Sequence, residues 1–115
     1  MSGADPLERL QRWFAAQCNG TWEHDWGVKI ETLDNPGWLV RIDLTGTPWA
    51  AKEFPRLKEN INDAGHPAGE QWIHCFTQDQ LFLGACDPHQ LGRVFELFLT
   101  WVDADSPSAG GQRGA

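Results

Sequence analysis

The sequence predicts an α+β domain: an antiparallel sheet of four or five strands in two hairpins, flanked by an N-terminal and a C-terminal helix. Three observations carry this prediction. Segments with helical periodicity sit near both ends, at residues 5–19 and 87–103. Between them lie apolar–polar alternating runs, grouped in pairs about short turns. No strand–helix–strand crossover occurs, and parallel pairing would need one. A chain of 115 residues with 41% apolar side chains holds one core and one domain. That domain is expected over residues 5–103, with residues 104–115, rich in Ser, Pro, Gly and Ala, forming a disordered tail.

The first helix opens on a capping box, with Asp5 as N-cap, Pro6 at the first helical position and Glu8 completing the box. Leu7, Leu10, Phe14 and Cys18 form its apolar stripe with Trp13 beside it, and Asn19-Gly20 is its stop. Residues 26–33 alternate, Val28 and Ile30 against Lys29 and Glu31. Pro36-Gly37 then suits the central pair of a type II turn. Residues 38–45 set Trp38, Val40, Ile42 and Leu44 against Arg41 and Asp43. Glu53 to Ile61 fits either an edge strand carrying Pro55 or a short helix, and residues 62–69 read as a loop. In residues 71–77, Trp72, His74 and Phe76 oppose Ile73 and Cys75. A turn at Gln78-Asp79-Gln80 leads into a strand from Leu81 to Ala85. Asp87-Pro88-His89-Gln90 repeats the helix-start pattern, and Leu91, Val94, Phe95, Phe98 and Val102 form the stripe of the last helix.

Charge narrows the function. Sixteen acids against nine bases give a net charge of −7, which disfavours non-specific nucleic-acid binding and docking on an anionic membrane. No apolar run is long enough to span a bilayer, and no signal-like segment opens the chain. Three cysteines without CxxC spacing fit reduced thiols and a cytoplasmic location. Glu23, His24 and Asp25 invite a metal reading, which only His66 or His74 could complete. On a strand, alternation would separate His24 from the two acids, so solvated acids and a hydrogen-bonded His24 are the simpler expectation. Cys86, close to His89, is the candidate thiol nucleophile, whereas Cys18 and Cys75 read as core thiols. Phosphate-loop, dinucleotide and nucleophile-elbow motifs are missing from the sequence, and no cofactor is implied. Seven Trp, six Phe and no Tyr suit a core of Trp rings, with some available to a binding surface.

Several segments together resemble the immunity protein 53 family of bacterial polymorphic toxin systems. They are Leu10-Gln11-Arg12-Trp13, Gln17-Cys18-Asn19-Gly20, Trp22-Glu23-His24 and Gly27-Val28-Lys29-Ile30, then the run from Glu31 to Trp38 and Ile42-Asp43-Leu44-Thr45-Gly46-Thr47. The likeness continues through Trp72-Ile73 and Leu81 to Gly84 to Phe98-Leu99-Thr100-Trp101, and residues 48–71 depart from it. The resemblance implies a small cytosolic protein, without catalytic residues, that binds and neutralises a cognate toxin. The acidic balance fits a toxin domain with a basic surface. The expected contacts are Trp22, Glu23, Asp25, Glu31, Asp34, Asp43 and Trp49. The competing readings are a small-ligand module with a Trp-lined pocket and a small thiol- or metal-dependent enzyme.

Overall fold

A computed structural model describes residues 5–104, so the expected tail lies outside the described residues except for Ala104, which ends the last helix. The elements in chain order are α1 (Pro6–Gln17), α2 (Trp22–Asp25), β1 (Val28–Leu33), β2 (Gly37–Asp43), β3 (Leu57–Glu59), β4 (Ile73–Gln78), β5 (Leu81–Cys86) and α3 (Leu91–Ala104). One five-stranded antiparallel sheet has the order β1-β2-β5-β4-β3. The α+β class and the two hairpins, β1–β2 and β4–β5, are as the sequence predicts.

α1 begins as its sequence dictates, with the Glu8 N–H donating to Asp5 Oδ1 at 2.7 Å. It packs chiefly on α3, and α3 packs on β5. The helices cover the sheet face formed by Val40, Ile42, Phe82, Ile73 and Cys75, each fully buried. Aromatic rings fill the layer: Trp13 meets Phe98 edge-on at 5.0 Å, and Phe98 lies 5.0 Å from Phe82. Trp22 Nε1 donates to the Thr45 carbonyl at 2.8 Å, and Trp49 Nε1 to the Val102 carbonyl at 3.3 Å.

Several local expectations need correction. The α1 stripe is only half buried: Leu10 and Trp13 enter the core, while Leu7, Phe14 and Cys18 are exposed. The sheet ends at β1, so that flank of α1 overhangs the edge strand and is only partly covered, Phe14 resting on Trp22 at 5.8 Å between ring centroids. Gly37 does not sit in a type II turn; it opens β2, and the turn is Asp34-Asn35-Pro36. It is glycine for space, because a Cβ there would meet the Cys86 carbonyl and lie 2.8 Å from Trp72 Cζ2. The uncertain segment at 53–61 forms the edge strand β3, with Pro55 ahead of the pairing. The last helix starts at Leu91, four residues after Asp87. Asp87 instead ties down the turn before it, accepting from the His89 N–H at 3.0 Å and Gln90 Nε2 at 2.7 Å. Burial raises its carboxyl pKa, but those hydrogen bonds outweigh burial and hold it below the ordinary aspartate value.

Candidate functional site

The two faces of the sheet are built from the same strands by alternation. Opposite the helix-covered face stand Leu39 and Arg41 of β2, Leu81, Leu83 and Ala85 of β5, and His74 and Phe76 of β4. They line a hollow of about 400 Å³. An antiparallel sheet with one solvated face ordinarily carries polar side chains there. Here the floor is apolar, and no helix among the described residues covers it.

Arg56 borders this floor. Its guanidinium carbon lies 4.2 Å from the Phe76 ring centroid, and its Nη1 is 2.8 Å from His74 Nε2. Arginine only donates, so His74 Nε2 must accept and the imidazole is neutral, with its proton on Nδ1. Burial lowers the His74 pKa, with Arg56 and Lys58 adding to the effect.

A second hollow of about 450 Å³ adjoins the first, with Arg41 and Leu81 common to both. His24, Asp25, Trp26, Lys29 and Asp43 form its walls. Asp43 Oδ1 is committed to the Thr45 N–H at 3.0 Å, and Arg41 pairs with Glu31 at 3.5 Å. The two hollows make one groove across the sheet, with an apolar floor and Lys29, Arg41, Arg56 and Lys58 around it. Glu31, Asp43 and Asp25 are the acids at this rim.

Three of the residues expected at the contact therefore meet here: Asp25, Glu31 and Asp43. The others do not. Trp22 and Trp49 are core residues, 5% and 9% exposed, because their rings pack around Trp13 and their indole N–H groups bond to backbone carbonyls. Glu23 folds back on its own chain, accepting from the Asn19 and Gly20 N–H groups at 2.9 Å each. Backbone hydrogen bonds, its own N–H foremost, hold its carboxyl below the ordinary glutamate value. Asp34 sits at the tip of the β1–β2 turn, at the far end of β1 from Asp25.

The chemical alternatives fare as follows. Among the described residues, no three His, Cys, Asp or Glu side chains gather as a metal site requires. The Cys86 thiol is buried, and burial with the neighbouring Asp87 pushes its pKa up to about 11. A thiol so placed is held protonated and away from solvent, the opposite of the electropositive, accessible setting of a reactive cysteine. Cys75 is a core thiol as expected, whereas Cys18 is exposed. Trp26 is the one exposed Trp among the described residues, at 40%, and the one Trp lining the groove.

Sequence reasoning missed Leu39, Phe76, Leu81 and Leu83 as a surface. Their signal was present, since β2 and β5 carry apolar residues at both parities where a half-solvated strand should not.

A family model describing immunity protein 53 matches residues 7–103 of the chain. The chain belongs to the immunity protein 53 family. No curated protein and no solved structure matches it. The match spans α1 through most of α3, so the sheet and both grooved regions lie within the immunity protein 53 unit. None of its described helices is long and apolar enough to cross a membrane.

Proposed function

We propose that this protein neutralises a cognate toxin by stoichiometric binding, without turnover, and that the open face of its sheet is the contact surface. One observation carries the choice of face: Leu39, Phe76, Leu81, Leu83 and Ala85 form an apolar floor on the side that the helices leave uncovered. An anchor side chain seated in such a floor supplies most of an interface's binding energy. The net charge of −7 attracts a basic toxin at long range, an effect screened beyond about 8–10 Å in physiological salt. At contact distance the groove selects differently. Lys29, Arg41, Arg56 and Lys58 meet carboxylates, while Asp25, Glu31 and Asp43 meet donors at one end.

The test is co-expression with the toxin domain encoded beside this gene, scored by survival and by recovery of a one-to-one complex. Leu83→Asp places a charge on the floor without touching the helix side. It is expected to weaken the complex at least about thirtyfold, the loss of one hot spot of about 2 kcal/mol, and to abolish protection. Glu96→Lys, on the exposed side of α3, is expected to protect like the wild type. A Leu83→Asp protein that keeps its circular dichroism spectrum and still protects fully would remove the open face from the interface.

A further inference from the structure

Three of the four exposed large apolar side chains among the described residues gather at one edge of the sheet, on its helix side. Leu7, Phe14 and Ile30, which are 52%, 36% and 41% exposed, line a groove of about 250 Å³ between α1 and β1. Trp26 stands two residues before β1. β1 itself is an edge: β2 lies on one side and, among the described residues, no strand lies on the other. Exposed edges are normally shortened, or broken by proline or a bulge. β1 runs six residues with none of these interruptions, and of the charges that also guard edges it carries one of each sign, Lys29 and Glu31.

The phase of its free backbone groups is fixed by one hydrogen bond. The Asp43 N–H donates to the Gly27 carbonyl at 3.0 Å, which makes Gly27 and Asp43 a bonded pair. By alternation Lys29 and Glu31 also turn their backbone groups toward β2, and Val28, Ile30 and Thr32 turn theirs outward.

We propose that a second copy of this chain occupies the edge, β1 pairing antiparallel with the partner's β1 about a two-fold axis at Ile30. In this register Ile30 faces the partner's Ile30 through outward-turned backbone groups, and Val28 faces the partner's Thr32. Lys29 then lies opposite the partner's Glu31, and Glu31 opposite the partner's Lys29, both as close non-bonded pairs. The neighbouring symmetric registers are penalised. Moving the axis to Glu31 sets Glu31 against its own copy, and moving it to Lys29 does the same for Lys29. On the helix side, Leu7, Phe14 and Ile30 of both copies close into one apolar layer. The result is a ten-stranded sheet, twice the five of one chain, with both open faces on the same side. The proposal concerns the edge and not the floor, although Lys29 and Glu31 also stand at the rim of the groove, so the oligomeric state of the chain alone is what tests it.

Sedimentation velocity of the purified chain over a concentration series tests it. Wild type is expected to dimerise. Lys29→Glu and Glu31→Lys, each alone, set like charges opposite at two places and are expected to weaken the dimer at least about tenfold. Mixed in equal amounts they are expected to recover it as a heterodimer, because one chain then carries two acids where the other carries two lysines. A wild type that stays monomeric, variants that dimerise like the wild type, or a mixture that does not recover would each overturn the proposal.

Discussion

Adding one methyl group at Gly84 should destabilise the fold by about 2 kcal/mol, and the loss should be traceable to a single neighbour. A Cβ at this position would lie 2.6 Å from Val94 Cγ1, 3.2 Å from Phe82 Cε2 and 3.4 Å from Cys75 Sγ. Carbon atoms in contact rest at about 3.5–4.0 Å, so Val94 must withdraw by about 1 Å. It has nowhere to go: Val94, Phe82 and Cys75 are all fully buried. Val94→Ala alone removes two buried methyl groups and should cost about 2 kcal/mol through lost burial and a cavity. In the double variant the new methyl enters the space that Val94 vacates. The two losses should therefore fail to add, with a coupling of at least about 1 kcal/mol. Urea unfolding followed by Trp fluorescence measures all four corners of the cycle. A neutral Gly84→Ala, or a double variant whose loss is the sum of the singles, would show that α3 does not rest on β5 at this closeness.

Gln80 and Asp79 form the β4–β5 turn with φ of 65° and 54°, the left-handed geometry of a type I′ hairpin. Gln80→Gly should therefore raise the melting temperature by about 4 °C, reflecting about 1 kcal/mol of relieved backbone strain, despite the lost Thr45 contact. In native protein a thiol reagent should titrate Cys18 quickly and reach Cys75 and Cys86 only on unfolding, since burial raises their pKa values to about 12 and about 11. Fast modification of Cys86 would contradict this burial. His74 has a folded pKa below its ordinary value of 6.5, so the unfolded chain takes up its proton first as pH falls. Its contribution to stability is full above pH 6.5 and is lost as pH falls through the folded value. His74→Gln should flatten the wild-type decline between about pH 7 and pH 5, measured by chemical denaturation.

The sequence spelled out the parts of this fold that depend on period two. Ile73 and Cys75 against His74 and Phe76, or Val40 and Ile42 against Arg41 and Asp43, separate by alternation alone, and the structure keeps each set on its own face. Alternation does not say which apolar set the helices will cover. Leu39, Leu81 and Leu83 are as hydrophobic as the residues behind them, so the open floor emerged only once α1 and α3 were placed. Trp22 lies in a four-residue helix, too short to display a period, and its burial comes from Trp13 in the preceding helix and from Thr45, beyond the first hairpin. Trp49 is buried through Val102, at the opposite end of the sequence. Gly37 misled because a glycine beside a proline has the composition of a turn, while the space demanded by Trp72 across the sheet is invisible locally. Glu31 and Asp43 were legible as candidates because strand polarity places them, whereas Asp25 reaches the same hollow as Asp43 from the short helix α2, which no alternation could reveal.

The strand order also dictates a timetable for acquiring the fold. The β1–β2 and β4–β5 hairpins join neighbours across short turns and can close early. The seam between them, β2 on β5, pairs Trp38 with Cys86 and Asp43 with Leu81, and so must bring together ends separated by the whole of β3 and its loops. That closure sacrifices the freedom of a long connecting segment before any reward arrives, which makes it the slow event. The open floor is split by the same seam, with Leu39 and Arg41 on one side and Leu83 and Phe76 on the other. A newly made chain therefore has no complete floor until its slowest contact has formed.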